Sequence, residues 1–386
     1  MNEFVVSKES TPSEGGHYMV EHMSPNSVKP HAPVALGTSD ANAPTRIGLV
    51  ATMSTSLYPP FLLARLMSTI DHMSQGRAGW NIVTSSEHRA AQNYGLQKLF
   101  EHDERYDRAD EFVEVVEKLW ESWSDDAVVL DRESGTYADG TRVSAIDHQG
   151  TYFASRGPLN ANRSPQGRPV FCQAGASSRG MDFAAQHGET VITIVDGGVD
   201  AMRDYRDGIR ERVEKAGRNP DDIKVLFVVS PFVGESHAEA KAAYDRAYAP
   251  TDWRAEESLA HLSAFTEIDF SKFDLDEKIP DGLTTNGHQS ALNNFVRRGD
   301  GGKTLREAAS SWKISCLDLV GTPDEVAEQM GEAMAAVGGD GFLINGPLSR
   351  VYVNQITDGL VPALQRRGLT RTEYSHEKFR DNLLAF

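Results

Sequence analysis

RPVFCQAGASSRGMDFAAQHGETVITIV, residues 168–195, is the stretch whose reading decides the fold. Residues 168–174 are apolar and short and read as a buried strand. The small-residue turn Gly175-Ala176-Ser177-Ser178 follows. Residues 178–187 read as a helix that stops at Gly188. Residues 190–195 are again apolar and strand-like. A strand apolar on both faces, a helix and a second such strand form the repeating unit of a parallel sheet covered by helices. The turn also carries chemistry. Backbone N–H groups at the positive end of a helix, two hydroxyls and the guanidinium of Arg179 suit a phosphate. Against this stands the plainer reading of a serine N-cap with nothing bound, the commoner use of such a turn.

The same unit recurs on both sides. Strand 47–53 precedes helix 61–73, where Leu62, Leu66, Met67 and Ile70 share a face. Strand 77–84 precedes helix 102–123, with Phe112, Val115, Val116, Leu119 and Trp123 turned inward. Helix 200–216 follows strand 190–195, and strand 224–233 leads to helix 236–248. Thr322-Pro323-Asp324-Glu325 caps helix 323–337; strand 341–345 and helix 351–367 close the pattern. Two stretches interrupt it, at about 125–167, with a hairpin expected across 141–153, and 250–311; loops of that length are candidate lids. Residues 1–45 read as an irregular arm, 46–375 as one barrel domain and 376–386 as a tail. No G-x-G-x-x-G opens a first unit, which counts against a dinucleotide-binding sheet. The expectation is an α/β fold, a (β/α)8 TIM-type barrel with insertions.

Bulk properties narrow the function. The 386 residues are 39% hydrophobic and 25% charged, with a net charge of −17 from 39 basic and 56 acidic side chains. No basic run stands out, which argues against nucleic acid or an anionic membrane as the main partner. The two cysteines, Cys172 and Cys316, sit in apolar strand-like contexts and read as core residues. There is no membrane-length apolar run and no basic-then-apolar leader, so a cytoplasmic protein is expected. His72, His187 and His261 lack partners at ligand spacing, and no metal is expected.

Several segments together resemble one family. They are RIGLVATMSTSLYPPFLLARLMSTIDHMSQGRAGWNIVTSS (46–86), AAQNYGL (90–96), EHDERYDRADEFVEVVEKLWESW (101–123), RGPLNANRSPQGRPVFCQAGASSRGMDFAAQHGE (156–189) and GTPDEVAEQM (321–330). They resemble the nitrilotriacetate and dibenzothiophene-sulfone monooxygenase group of the bacterial-luciferase-like flavin enzymes. The resemblance implies an eight-stranded α/β barrel and a homo-oligomer. It implies reduced FMN as a diffusible cosubstrate, supplied by a separate NAD(P)H-dependent flavin reductase. It also implies O2 as co-reactant, with one oxygen atom entering a small organic, in some relatives xenobiotic, substrate. The flavin contacts it implies fall on Thr52, His102, Tyr106, Ser177 and Ser178, with His102 as a candidate proton carrier.

Those positions fit physical expectation. Thr52 ends a strand at the barrel mouth, where sites of this fold collect, although threonine is common in any strand. His102 and Tyr106 are four apart at a helix start and share a face. Trp80 and Asn81 are pocket candidates, with core packing the plainer reading for Trp80.

One departure from the family pattern stands out. Only six clear strands follow from residue 47 onward, against the eight of a closed barrel. The family's first strand, helix and second strand find no room in residues 1–30. Phe4-Val5-Val6 is too short for a confident strand, and Glu3 is no safe substitute for the family's acidic flavin contact. The expectation is a barrel lacking its first strand–helix–strand elements, with a start lying upstream, a shortened chain or a partner over the gap. Three other functions fit less of the sequence. They are a deazaflavin-dependent oxidoreductase of the same fold, a non-catalytic flavin-binding member, and a barrel hydrolase with paired carboxylates.

Overall fold

The structure is a computed structural model that describes residues 5–7 and 46–385. One parallel sheet of seven strands runs in chain order. Its strands are β1 (Val5–Ser7), β2 (Leu49–Ser54), β3 (Ala78–Val83), β4 (Val170–Ala174), β5 (Thr190–Thr193), β6 (Lys224–Val229) and β7 (Gly341–Ile344). Among the described residues its end strands, β1 and β7, do not pair with each other. The crossovers carry α1 (Pro60–Ser74), α2 (His88–Gln92), α3 (His102–Glu121), α4 (Ser178–His187), α5 (Gly198–Lys215), α6 (His237–Ala247), α7 (Asp252–Thr266), α8 (Gln289–Arg298), α9 (Leu305–Ser310) and α10 (Pro323–Val337). After β7, residues 350–366 run as one helical stretch with a π turn at Gln355–Leu360, and α11 (Phe379–Leu384) ends the chain. No helix among the described residues is long and apolar enough to cross a membrane.

Residues in register on neighbouring strands share a face, so the pairing divides the sheet into two sides. Met53, Trp80, Ile82 and Phe171 pack with Met67, Phe112, Val116 and Trp120 of α1 and α3. The Trp80 indole is fully buried there and donates to the Met53 carbonyl at 2.9 Å. On the other side Val50, Val170, Cys172, Ile192 and Val228 close around Phe379 and Leu383 of α11. Phe379 lies flat on backbone: a Cβ at Gly48 would stand 2.5 Å from its ring and one at Gly79 3.1 Å. Both glycines belong to the N-terminal half of the sheet. The C-terminal helix α11 therefore plugs the bottom, and the candidate site is left to the opposite mouth.

The first strand corrects a sequence expectation. Val5–Ser7 forms a strand despite its brevity, in parallel register with Leu49, Val50 and Ala51. Three residues suffice because β2 supplies the hydrogen-bonding edge. Residues 1–4 and 8–45 lie outside the described residues, and with them Glu3 and most of the expected arm.

Other details differ as well. On α1 the buried face is Leu63, Met67 and Ile70, while Leu62 is exposed. On α3 Trp120 is buried in place of Trp123, whose indole caps the Leu159 carbonyl at 2.8 Å. Strand 224–233 breaks after Val229, where Pro231 has no N–H to give a ladder; Phe232–Val233 pairs separately with Val320–Gly321. Two hairpins, Val128–Asp131 with Thr136–Ala138 and His148–Gln149 with Ala154–Ser155, replace the single one expected.

The stretch at 250–311 is helical, with its own core of Leu259, Leu262, Phe270, Phe295 and Leu305. It docks beside the mouth. Glu267 accepts from the His88 backbone N–H at 2.5 Å and lies 3.2 Å from His88 Nε2. Buried Arg105 bridges the Phe100 and Asn286 carbonyls, both at 2.8 Å.

Candidate active site

The turn after β4 forms as its sequence suggests. Ser177 is extended and caps α4, its Oγ accepting from the Gly180 N–H at 3.1 Å. The cap uses an acceptor lone pair and leaves the Ser177 hydroxyl proton to donate, either to the neighbouring Tyr106 oxygen or to a ligand. Ser178 opens the helix and is exposed. The turn is braced from below, where the Tyr205 hydroxyl donates to the Gly175 carbonyl at 2.5 Å.

Tyr106 comes to this turn from α3. A Cβ on Gly180 would stand 2.8 Å from the Tyr106 hydroxyl and 3.0 Å from Ser177 Oγ. Only a glycine at 180 lets the phenol approach the helix end so closely. Burial pushes the Tyr106 phenol up, while the Ser177 hydroxyl, Arg105 and the Thr84 hydroxyl pull the other way. The phenol is thus a neutral donor at physiological pH. His102, one turn earlier, stacks on Tyr106 with ring centroids 5.3 Å apart. Its Nδ1 lies 2.7 Å from an Asp103 carboxylate oxygen. His102, Tyr106, Ser177 and Ser178 therefore form one group, although about 70 residues separate the two pairs.

Thr52 stands apart from that group, inside the sheet. It is in register with Asn81 on β3, which is in register with Cys172 on β4. The Asn81 amide donates to Thr52 Oγ1 at 3.1 Å, and Asn81 Oδ1 is buried with no hydrogen-bond partner among the described residues. Gln173 Oε1, just below the Gly175 turn, is orphaned in the same way. Buried acceptors without partners cost about 1–3 kcal/mol each unless something donates to them. Trp80 has no part in this lining, because it faces the helices with its N–H satisfied.

Arg179 is not a free cation. Its Nη2 reaches Asp110 at 2.5 Å and Asp107 at 3.0 Å. Two carboxylates thus meet the charge that the sequence suggested for a phosphate. Sequence reading missed Gly180, Thr84 and Asp110. A glycine within the first turn of a helix was the available signal for close approach. Asp110 gave none, because an acidic residue on a polar helix face looks solvated.

A dianionic group fits this cradle. It offers the positive end of a ten-residue helix, two serine hydroxyls, a phenol and an imidazole, with room kept by Gly180. The orphaned acceptor Asn81 Oδ1 suits an N–H or O–H group of a larger ligand; Gln173, in register with Ile82 and Val191, lies on the helix side of the sheet. Cys172 and Cys316 are both buried free thiols. Burial pushes the Cys316 thiol up to about 11 and Cys172 higher still, so neither is an activated nucleophile.

The family described as luciferase-like monooxygenase matches residues 16–341. A dibenzothiophene-sulfone monooxygenase of Rhodococcus erythropolis is 37% identical over 358 residues, 91% of this chain and 78% of that protein. The nitrilotriacetate monooxygenase component A of Aminobacter aminovorans is 38% identical over 360 residues, again 91% of this chain and 78% of that protein. Among solved structures, a riboflavin lyase crystallised with modified FMN and riboflavin superposes with a TM-score of 0.88 at 31% identity, covering 100% of this chain and 86% of that one.

Proposed function

This chain belongs to the luciferase-like monooxygenase family, and from that premise we propose that it is the oxygenase of a two-component system that uses reduced FMN and O2 to oxygenate a small organic substrate. A separate NAD(P)H-dependent reductase would deliver the flavin. The observation that carries this reading is the meeting of Tyr106, His102 and Ser177 at the N-terminus of α4, across a glycine that leaves room for them. It is a phosphate site built from two distant segments.

When bound, the reduced flavin supplies the two electrons with which O2 gives one oxygen atom to the substrate and the other to water. The chain's own work is binding, orientation and exclusion of water. Ser177, Ser178 and Tyr106 would hold the phosphate, and His102 would back them. Thr52 and Asn81 would meet the polar edge of the ring system, where Asn81 Oδ1 awaits a donor. No side chain is asked to be a nucleophile. Of the His102 ring nitrogens, Nδ1 faces Asp103, so Nε2 is the atom that would meet the ligand. The helical insertion tethered through Glu267 and Asn286 would cover the mouth.

The experiment is anaerobic titration of the purified chain with reduced FMN, followed by a pulse of O2 and turnover with dibenzothiophene sulfone, nitrilotriacetate and riboflavin. Saturable binding and substrate-dependent O2 uptake with one oxygen atom in the product are expected. A folded chain that binds neither reduced nor oxidised FMN sinks the proposal. Retention of a deazaflavin in place of FMN selects the dehydrogenase reading.

A further inference from the structure

We propose that Asp110 is a positioning residue for the phosphate end of the flavin: it clamps α4 along α3 and so sets Ser177 and Ser178 against Tyr106. The inference rests on reading the α4 turn as the phosphate cradle.

Asp110 lies one turn beyond Tyr106 on α3, so both project toward the same neighbour. Its two oxygens serve opposite ends of α4. Oδ2 accepts from Arg179, the second residue of that helix, at 2.5 Å; Oδ1 lies 2.8 Å from Nε2 of His187, the last. One carboxylate thus spans the ten-residue helix. Between the two anchors Phe183 packs on Tyr106 and His187, with ring centroids 5.7 and 4.7 Å away. Apolar packing of that kind tolerates sliding, whereas hydrogen bonds to a charged group fix direction and distance. Asp107 adds a second contact to Arg179.

The surroundings let the clamp matter. Side-chain exposure is 29% for Asp110, 26% for Arg179 and 12% for His187, well short of a fully solvated pair. Arg179 also stands over the Tyr106 ring, 5.4 Å from its centroid. The guanidinium therefore touches the cradle's phenol on one side and the clamp on the other. With its charge met by Asp110 and Asp107, its part is to hold the helix start in place. Hydroxyl and N–H donors serve a phosphate only when placed to within about 0.5 Å. A shift of α4 along α3 would move Ser177 and Ser178 while leaving the sheet-borne Thr52 and Asn81 untouched. Loss of the clamp should accordingly weaken the phosphate end of the ligand and spare the ring end.

The test compares FMN with riboflavin, which lacks the phosphate. FMN affinity is measured by fluorescence titration, and riboflavin affinity by displacement of FMN from the same site. A wild-type chain with no preference for FMN would refute the phosphate cradle itself, and the inference would fall with it. Given that preference, Asp110→Asn is expected to weaken FMN about tenfold, the size of one lost charge-assisted interaction. Riboflavin affinity should stay within about twofold. Asp110→Glu should restore part of the loss. A purely structural role predicts equal loss for both ligands, and that outcome, or no change in either, overturns the proposal. In Asp110→Asn with Arg179→Gln the losses should not add, because both break one clamp; full additivity would show Arg179 acting on the phosphate by itself. If Asp110→Asn does not fold, Arg179→Gln alone carries the same FMN-to-riboflavin comparison.

Discussion

The Tyr106 hydroxyl lies over Gly180 so closely that a Cβ there would come within 2.8 Å of it. Gly180→Ala therefore separates stability from binding. In a helix the substitution ordinarily gains up to about 1 kcal/mol. Here the added methyl displaces the phenol or the Ser177 hydroxyl. The expected result is a melting temperature at or slightly above wild type with reduced-FMN affinity down about tenfold. Unchanged affinity in a calorimetric titration would move the phosphate away from this turn.

Ser178→Asp carries the same divergence by charge. An acidic residue in the first turn of a helix favours the helix by about 0.3–1 kcal/mol. The same charge opposes a bound phosphate. Stability should hold or rise, and FMN binding should fall at low salt and recover in part at high salt, where the repulsion is screened. Salt-independent binding equal to wild type would exclude phosphate at this position.

Glu189 is nine-tenths buried at the base of the sheet, 2.5 Å from Arg380 and 2.7 Å from Arg168. Burial pushes its carboxyl up, but Arg168, Arg380 and the Phe171 N–H pull it further down, leaving it below the ordinary carboxylate range. A depressed folded-state value means this contribution is full above the unfolded value of about 4.5 and is lost as pH falls through the folded one. Glu189→Gln leaves two guanidiniums without their carboxylate and should cost about 3–5 kcal/mol near neutrality. Denaturant midpoints of the two forms should converge as the pH is lowered below about 4. A gap that stays constant well below that pH would mean that the Glu189 charge is not the source.

Arg105 is 2% exposed and ties the start of α3 to the insertion through Phe100 and Asn286. Arg105→Met strands the Asn286 carbonyl, a cost of about 1–3 kcal/mol, while the Phe100 carbonyl keeps the Asn286 amide as donor at 3.1 Å. The loss should be local, because α7–α9 keep a core of their own. Hydrogen exchange is expected to quicken around Asn286 and Glu267 while the strands stay protected. Uniform loss of protection throughout the sheet would contradict a separately packed insertion.

Much of the architecture was legible because strands and helices announce themselves by local spacing. The α4 boundaries at Ser178 and His187 and those of α10 at Pro323 and Val337 follow from caps and periodicity. Face assignments were less secure. Leu62 and Leu63 are adjacent, and only the angle at which α1 meets the sheet decides that Leu63 is buried. Trp120 and Trp123 lie one turn apart, and the neighbouring Ala64 carbonyl, which accepts from Trp120, selects between them.

The sequence by itself determined the βα rhythm, the family and the residue types gathered in the Ser177 turn and the His102–Tyr106 pair, because caps, periodicity and motif spacing are local properties. Tertiary structure alone decided that Tyr106 reaches Gly180, that Arg179 is held by Asp107 and Asp110, and that Asn81 keeps beside Thr52 an oxygen with no partner among the described residues. Those facts depend on the register between strands and on how α3 and α4 cross, and both are set by packing over the whole core.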